Sequence, residues 1–546
     1  MVEIKIKGSN RGIFCDSGSN LLQILLEHEI FVDNPCNGTG ICGKCKVRVF
    51  GSEGSVSVMR ETEKNLLRQE EIEEGIRLAC MTRVYHDIQV ELLQKERKHR
   101  VLTGGHMPEF DRDHYDGGYG VAVDIGTTTV VLSLVELKTG VELASASRIN
   151  AQKAFGLDVL TRITYEYEHG EAGMKALQQA IVECLNQMLD EVCGKVLDDR
   201  NDGEPPFDRN LIREIVVAAN CTMTHMLLGV DARSIGRAPY EPVFREAQTC
   251  LASEVGLRAG IETKLYCLPQ VSSYIGADIV AGVYVCELIK AKGNHLFIDI
   301  GTNGEIVLAS DGKMLSCSCA AGPALEGMNI RYGMRAADGA IEDISMSESG
   351  VDLKVIGDAE PSGLCGSGIL SVIRELIANG FLKKTGALIQ PESLEQHDWR
   401  KAWIRPSSEH EKKREIVLNE EPEILVTQDD IRQVQLAKGA ILSGFTALLK
   451  KAELRMEDLD RVLIAGQFGA HLPVESLVGV GILPEQVRDK IIYVGNSSKT
   501  GAYMALLSRK ARDDMSNLAS KIDYFELAES EDYERIFAEC MRFPVK

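Results

Sequence analysis

The chain is 546 residues long, 44% hydrophobic and 26% charged, with a formal net charge of −20. That is ordinary globular material, enough for about two to four domains; the acidic balance argues against a nucleic-acid partner, and 5% aromatics offer no stacking platform for bases. No apolar run approaches the roughly 20 residues of a membrane span, so no membrane partner is expected.

Residues 2–7 (VEIKIK) and 12–15 (GIFC) alternate like two short strands around Ser9 and Asn10. Ser19 is placed to cap an apolar-periodic helix, LLQILLEHEI. A glycine-rich loop follows, PCNGTGICGKCKV, carrying Cys36, Cys42 and Cys45, and Cys80 stands further on in RLAC. The spacing is C-x5-C-x2-C, a long gap, then C. Four thiolates in this order suit a 2Fe–2S cluster, the plant-type pattern having one residue fewer in its first gap. Gly38, Gly40 and Gly43 let backbone wrap a bulky inorganic core and aim amides at its sulfurs. A structural zinc site is the alternative, but this loop and the lone distant cysteine fit a zinc ribbon poorly. Disulfides are not expected: no signal peptide is evident, and the other cysteines are scattered singly or in apolar runs, as in a reducing cytoplasm.

Beyond the loop, KVRVF reads as a strand, Glu61 to Glu74 as a charged helical stretch, and HDIQVEL near 86–92 as a closing strand. Residues 1–93 therefore form one α+β domain, similar to the 2Fe–2S ferredoxins and closer in its first gap to the adrenodoxin-like branch. Residues 94–118 are charged, glycine-containing and aperiodic, and read as a linker that lets a redox head swing. From 119 onward apolar strands such as REIVVAAN, HLFIDIG and RVLIAG alternate with amphipathic helices, an α/β pattern divided here into lobes 119–295 and 296–546. The stretch 395–423 is polar and reads as a surface excursion.

One phrase occurs twice, as Val123-Asp124-Ile125-Gly126-Thr127-Thr128-Thr129 and as Ile298-Asp299-Ile300-Gly301-Thr302-Asn303-Gly304-Glu305. Each lies between two strand-like runs and reads as a tight hairpin. Turn amides and hydroxyls can cradle phosphate oxygens, and an aspartate at the strand end can hold Mg²⁺ through water. A matched pair suggests duplicated halves gripping one polyphosphate. Ile464 to Gly469 reads as a strand ending in a glycine turn that packs against a nucleoside. Two small-residue helices, YIGADIVAGV and GNSSKTGAYMAL, offer Gly276, Ala277, Gly501 and Ala502 for a close crossing beneath the cleft.

This order of motifs resembles the actin, sugar-kinase, acetate-kinase and heat-shock ATPase superfamily over roughly 118–546, with two ribonuclease-H-like lobes. Joined to a 2Fe–2S head, and with FGLDVLTRI, AANCTMTHMLLG, AAGPALEGMNI and GLCGSGIL in place, the whole chain resembles the reductive activators of corrinoid proteins. The resemblance implies ATP-driven one-electron reduction of Co(II) to Co(I) in a corrinoid protein, a low-potential electron donor, and a homodimer. Such reduction is uphill from a potential of about −400 mV, at tenfold in equilibrium per ~59 mV.

The roles it implies are these. Cys36, Cys42, Cys45 and Cys80 ligate iron; Asp124 and Asp299 organise Mg²⁺; Gly126, Thr127, Thr128, Gly301, Thr302, Asn303 and Gly304 bind phosphates; Gly466, Gln467 and Phe468 lie near the nucleoside. Asp278 orients or deprotonates the attacking water, with Glu305 as second candidate, and Asn220 either faces the cleft or forms a turn. The glycines of GLCGSG either meet an anion or permit a close helix–strand contact. Cys317 and Cys319 form C-x-C and with Cys365 offer a second metal site as the alternative to buried small hydrophobes, the preferred reading, and His225 and His471 read as structural. Two other functions fit the same motifs: a small-molecule kinase carrying a redox sensor, and a binding module switched by ATP.

Overall fold

In the computed structural model the described residues are 2–7, 12–28, 30, 32, 43, 45–52, 54–93, 106–198, 207–407, 413–466 and 472–545. Cys36, Cys42, Gln467, Phe468 and His471, and glycines 38 and 40, lie outside them.

The N-terminal unit is built on a five-stranded sheet in the order Gly12–Cys15, Val2–Ile6, Ile88–Leu92, Lys46–Phe50, Ile76–Leu78. Val2 to Ile6 alternates buried and outward positions, as a half-buried strand requires. The first helix runs Leu21–Glu27, and its cap is Asn20 rather than Ser19: the Asn20 side-chain oxygen accepts from the Gln23 amide at 3.2 Å, while Ser19 and Asn20 pair with Arg83 and Val84 as a short strand. The charged stretch divides into two short helices, Glu61–Lys64 and Gln69–Glu73.

The second half of the linker is docked. The His106 amide donates to the Val494 carbonyl at 2.9 Å, Asp113 N to Leu507 O at 2.8 Å, and the Tyr115 hydroxyl to Leu506 O at 3.1 Å. Phe110 packs edge-on against Tyr503. Residues 106–118 are thus strapped down, to the second lobe through these bonds and to the first through Arg112 on the Thr139 carbonyl and the Leu137 amide on Gly118 O, and any tether is confined to 94–105, outside the described residues.

The rest of the chain carries one sheet plan twice. In the first lobe the strand order is Glu142–Ile149, Thr129–Glu136, Tyr119–Ile125, Ile212–Ala219, Lys264–Cys267, Gln248–Leu251. In the second it is Lys313–Cys319, Gly304–Ser310, Asn294–Ile300, Arg461–Ala465, Ile491–Gly495, with Ile522–Tyr524 beside the first of these. Each lobe begins with three antiparallel strands and continues with two parallel ones. These are two ribonuclease-H-like lobes, the actin-like architecture expected from the repeated motif. Between them the helices Ala277–Val285 and Ser497–Leu507 cross in one shared apolar cluster with Ala122, Val216, Phe297 and Val307. The crossing rests on Gly501, where an added Cβ would lie 2.5 Å from the Ala281 Cβ, and on Gly282, whose Cβ would meet the Phe297 ring at 2.5 Å. Gly276 serves elsewhere: it is the cap residue, and a Cβ there would strike the Asn220 backbone at 2.5 Å.

The polar stretch is more than a surface excursion. Within 395–423 the strands Ile404–Pro406 and Arg414–Asn419 join Ile424–Thr427 in a small antiparallel sheet, which sinks Ile404, Ile416, Leu418 and Ile424 into the second lobe's core. The glycines of GLCGSG are explained by packing: a Cβ on Gly368 would lie 2.0 Å from the Ile341 carbonyl.

Candidate functional site

In the N-terminal unit, Cys45 follows the cluster loop and Cys80 lies in a tight turn after the strand Ile76–Leu78. Their sulfurs are 3.2 Å apart, and the Cys80 amide donates to the Cys45 sulfur at 3.5 Å. The Ala79 amide donates to the Cys45 carbonyl, and the Asn20 side-chain amide to the Cys80 carbonyl, both at 2.8 Å. Two of the four predicted ligands therefore converge with an amide aimed at sulfur, half of the thiolate set a 2Fe–2S cluster needs. Gly43 takes φ +63, and a Cβ there would crowd the Leu66 carbonyl at 3.2 Å.

The strand that leads into the Cys80 turn is fixed by a buried ion pair. Glu63 accepts from Arg77 Nε and Nη2, each at 2.9 Å, and from the Leu78 amide at 2.8 Å. Removing one partner of such a pair costs about 3–5 kcal/mol because the other charge stays buried. Glu63→Ala is expected to lower the melting temperature of this unit and to yield protein with well under the wild-type iron content; iron assay and thermal melts check both.

In the lobes, the two repeated phrases form the predicted hairpin turns. Gly126 N donates to Thr129 O at 2.9 Å and Gly301 N to Asn303 O at 3.0 Å. Asp124 and Asp299 stand at equivalent strand ends, paired with Ala218 and Ala465 of the neighbouring parallel strands, which lead into Asn220 two residues on and Gly466 one residue on. Gly466 has φ +91, and a Cβ would come within 2.6 Å of Asp299 Oδ1, so only glycine lets the chain pass the carboxylate. Gly304 is explained differently: it opens a strand, and a Cβ would strike the Cys319 sulfur at 2.7 Å.

Asp124 is held from the opposite lobe. Asn496 Nδ2 and Ser498 Oγ, at the start of the helix Ser497–Leu507, donate to its two oxygens at 2.8 and 2.7 Å. Asp124, Asp278, Asp299 and Glu305 together form an acidic floor, each keeping part of its surface open to the cleft. Burial raises Asp124 above the ordinary carboxyl value against the pull of Ser498, Asn496 and Lys499. Burial and then the charge of Asp124 push Asp278 up to about 7. Burial, then Asp278 and Asp124, push Asp299 up to about 8. Glu305 is raised well above its usual range by burial and then by Asp278 and Asp299. Carboxylates that raise one another in this way are short of positive charge, although among the described residues no three acidic, histidine or cysteine side chains are grouped to ligate one metal ion directly.

The turn side chains are tied to one another. The Thr128 and Thr302 hydroxyls, one from each lobe, are 3.1 Å apart, and Thr302 donates to Glu326 Oε1 at 2.6 Å. Asn303 offsets part of the rise at the Glu305 carboxyl. Asn220 caps the helix Cys221–Leu228 through its side-chain oxygen and donates from Nδ2 to Thr127 Oγ1 at 3.0 Å, so it both forms a turn and faces the cleft. Behind the first turn, Arg162 is fully buried and donates to the carbonyls of Thr127 at 2.5 Å and Gly156 at 2.9 Å, and Asn150 donates to the Gly126 carbonyl at 2.9 Å.

Sequence reasoning missed Arg162, Glu326, Asn496 and Ser498. Three of the quoted phrases contain them, FGLDVLTRI, AAGPALEGMNI and GNSSKTGAYMAL, but only the fold brings them to the turns. His225 is structural as expected, stacked on Phe244 and bonded to Cys221 O and the Val243 amide. Cys317, Cys319 and Cys365 are buried among apolar side chains, Cys365 in a different cluster from the other two.

Comparison with known proteins agrees with this architecture. Residues 4–85 match a family described as 2Fe-2S iron-sulfur cluster binding domain, 119–291 one described as RACo middle region, and 293–546 one described as the C-terminal domain of RACo, the ASKHA domain. Over 438 residues the chain is 32% identical to the corrinoid activation enzyme RamQ of Eubacterium limosum, covering 79% of this chain and 72% of that one. It is 24% identical over 452 residues to the [Co(II) methylated amine-specific corrinoid protein] reductase of Methanosarcina barkeri, covering 77% and 76%. A solved structure of a reductive activator for corrinoid, iron-sulfur protein matches 100% of this chain and 99% of its own, with 29% identity and a TM-score of 0.69. Among the described residues no helix is long and apolar enough to cross a membrane.

Proposed function

The chain belongs to the family of reductive activators of corrinoid proteins, and on that premise we propose that it uses ATP to drive a single electron from its N-terminal cluster onto a corrinoid protein, taking cobalt from Co(II) to Co(I). The observation that carries this reading is the paired turn. Two equivalent Asp-Ile-Gly-Thr hairpins, one per lobe, bring Thr128 and Thr302 to 3.1 Å across a cleft floored by carboxylates.

In this reading Cys36, Cys42, Cys45 and Cys80 hold a 2Fe–2S cluster, which supplies one-electron transfer when bound. Asp124, Asp299 and the neighbouring acids hold a hydrated Mg²⁺, which neutralises polyphosphate charge when bound. The backbone and hydroxyls of Gly126 to Thr128 and Gly301 to Asn303 cradle phosphates, and the strand end at Gly466, leading into Gln467 and Phe468, faces the nucleoside. Asp278 and Glu305 complete the acidic floor, Asp278 orienting the attacking water and Glu305 standing behind it.

Uphill delivery needs a free-energy source. A nucleotide shifts an equilibrium only through unequal affinity for two conformations, and hinged lobes around a cleft supply them. The cross-lobe contacts of Asp124 with Asn496 and Ser498, and of Glu214 with Arg512 at 2.8 and 2.6 Å, are the bonds such a motion would make and break. A low-potential donor refills the cluster between turnovers.

The test is anaerobic phosphate release and nucleotide binding by the cluster-loaded protein. Free phosphate formed without any added acceptor supports the reading. Phosphorylation of a small molecule with no phosphate release would point to a kinase, and nucleotide binding without turnover to a switched binding module.

A further inference from the structure

Glu326 is 2% exposed and stands on a rigid support. It ends the short turn Pro323–Glu326, flanked by Gly322 at φ 73 and Gly327 at φ 75. A Cβ on Gly327 would lie 2.4 Å from the Met334 carbonyl, so the turn is pinned against the following segment.

Its contacts set it apart from the other cleft acids. Oε1 accepts from Thr302 at 2.6 Å, and the Thr302 hydroxyl in turn meets that of Thr128 at 3.1 Å. Those hydroxyls come from the two turns of opposite lobes. Arg335 of the second lobe and Lys153 of the first both place positive charge near it. Asp278 and Glu305, by contrast, feel Asp124 and Asp299 and belong to the acidic floor. The remaining oxygen of Glu326, Oε2, is buried without a hydrogen-bond partner. A buried acceptor left empty is rare in folded proteins and calls for a donor.

We propose that Glu326 is the catalytic base of the ATPase, its Oε2 taking the proton from the water that attacks the terminal phosphate held at the Thr128 and Thr302 turns. The inference rests on the ATP-hydrolysing reading above. In the step, the water oxygen forms a bond to the terminal phosphorus, and the bond from that phosphorus to the bridging oxygen breaks. The bridging oxygen leaves on ADP with the electron pair, and the water proton passes to Glu326 Oε2 and from there to the released phosphate. The geometry suits the role: the carboxylate touches the Thr302 turn and through it Thr128, feels the positive charge of Arg335 and Lys153, and keeps one oxygen free for a donor. Asp278 orients the same water from the floor, and Glu326 receives its proton.

The experiment compares wild type with Glu326→Gln and Glu326→Asp in the full-length, cluster-loaded protein, measuring Mg–ATP affinity, the kcat of phosphate release, and the visible spectrum and melting temperature as controls for folding. Glutamine keeps an oxygen to accept from Thr302 but cannot take a proton. The expected result is an unchanged spectrum, Mg–ATP affinity within about threefold of wild type, and kcat lower by about 10²–10⁴-fold, the usual worth of a general base. Aspartate, a base retracted by one methylene, should fall between. A glutamine variant that hydrolyses ATP at the wild-type rate overturns the assignment while leaving the ATPase reading intact. Equal losses of affinity and kcat in both variants overturn it in favour of a purely structural role. Wild-type protein that binds ATP but releases no phosphate overturns the assignment and the ATPase reading together.

Discussion

Asp299→Asn is expected to remove the ATP dependence of corrinoid reduction, lowering the nucleotide-stimulated rate by about 10²–10³-fold, while the visible spectrum of the cluster stays as in wild type. Asp299 ends the central strand of the second lobe, beside the glycine that lets the chain pass it. Interactions that neutralise a transferring phosphoryl group are worth several kcal/mol, and each ~1.4 kcal/mol is tenfold in rate. Asparagine keeps the shape and gives up the charge, so a loss cannot be assigned to a cavity. Rates near wild type with Mg–ATP would remove Asp299 from the nucleotide site.

The same substitution has a thermodynamic signature. In the metal-free protein Asp299 is pushed up to about 8, above the ordinary value of 3.8. Between those values the folded state holds a proton that the unfolded chain has released, so this group makes the protein less stable as pH rises. The asparagine side chain has no such proton to hold or release. The stability of Asp299→Asn relative to wild type should therefore climb from about pH 4 to pH 8, by an amount on the order of a few kcal/mol. Saturating Mg–nucleotide should flatten the difference. Parallel stability curves across that range would contradict the charged-floor account.

The second large effect concerns the head. Cys80→Ser is expected to give protein with little or no bound iron and no corrinoid reduction, yet with Mg–ATP affinity close to wild type. Cys80 and Cys45 approach to 3.2 Å on a turn held by Glu63 and Arg77 of the same unit. Wild type should carry two irons per chain, as one 2Fe–2S centre requires. Zinc or four irons would refute the assignment, and loss of nucleotide binding in the serine variant would show that head and lobes do not act as separate modules.

The repeated Asp-Ile-Gly-Thr phrase was legible because a hairpin turn is a local structure: glycine, hydroxyls and a strand-ending aspartate sit within a few residues, and period-2 strands flank them. Of the four cysteines read together, the described residues show Cys45 meeting Cys80, while Cys36 and Cys42 lie outside them. What escaped is non-local. Arg162 looks like an ordinary helical arginine until the fold buries it under the Thr127 carbonyl. Asn496 and Ser498 read as the start of a small-residue helix, and only the crossing of two lobes turns them onto Asp124. Glu326 lies in a quoted phrase, but nothing nearby in sequence says that its carboxylate meets a threonine 24 residues before it, whose hydroxyl in turn meets Thr128 of the opposite lobe. The polar stretch was misread because charge dominates its composition, whereas the alternate residues Ile416 and Leu418 are enough to seat a strand in the core. The linker was misread because docking through backbone carbonyls at Val494 and Leu507 leaves no trace in hydrophobic periodicity.

The central claim is the coupling of a nucleotide clamp to an uphill electron. It is tested most directly by mixing the cluster-loaded protein anaerobically with a low-potential donor and an oxidised corrinoid protein, and following the cobalt spectrum as Mg–ATP is added. Co(I) should accumulate only with hydrolysable nucleotide, and not with Asp299→Asn. Accumulation to the same extent before any nucleotide is present would contradict the account.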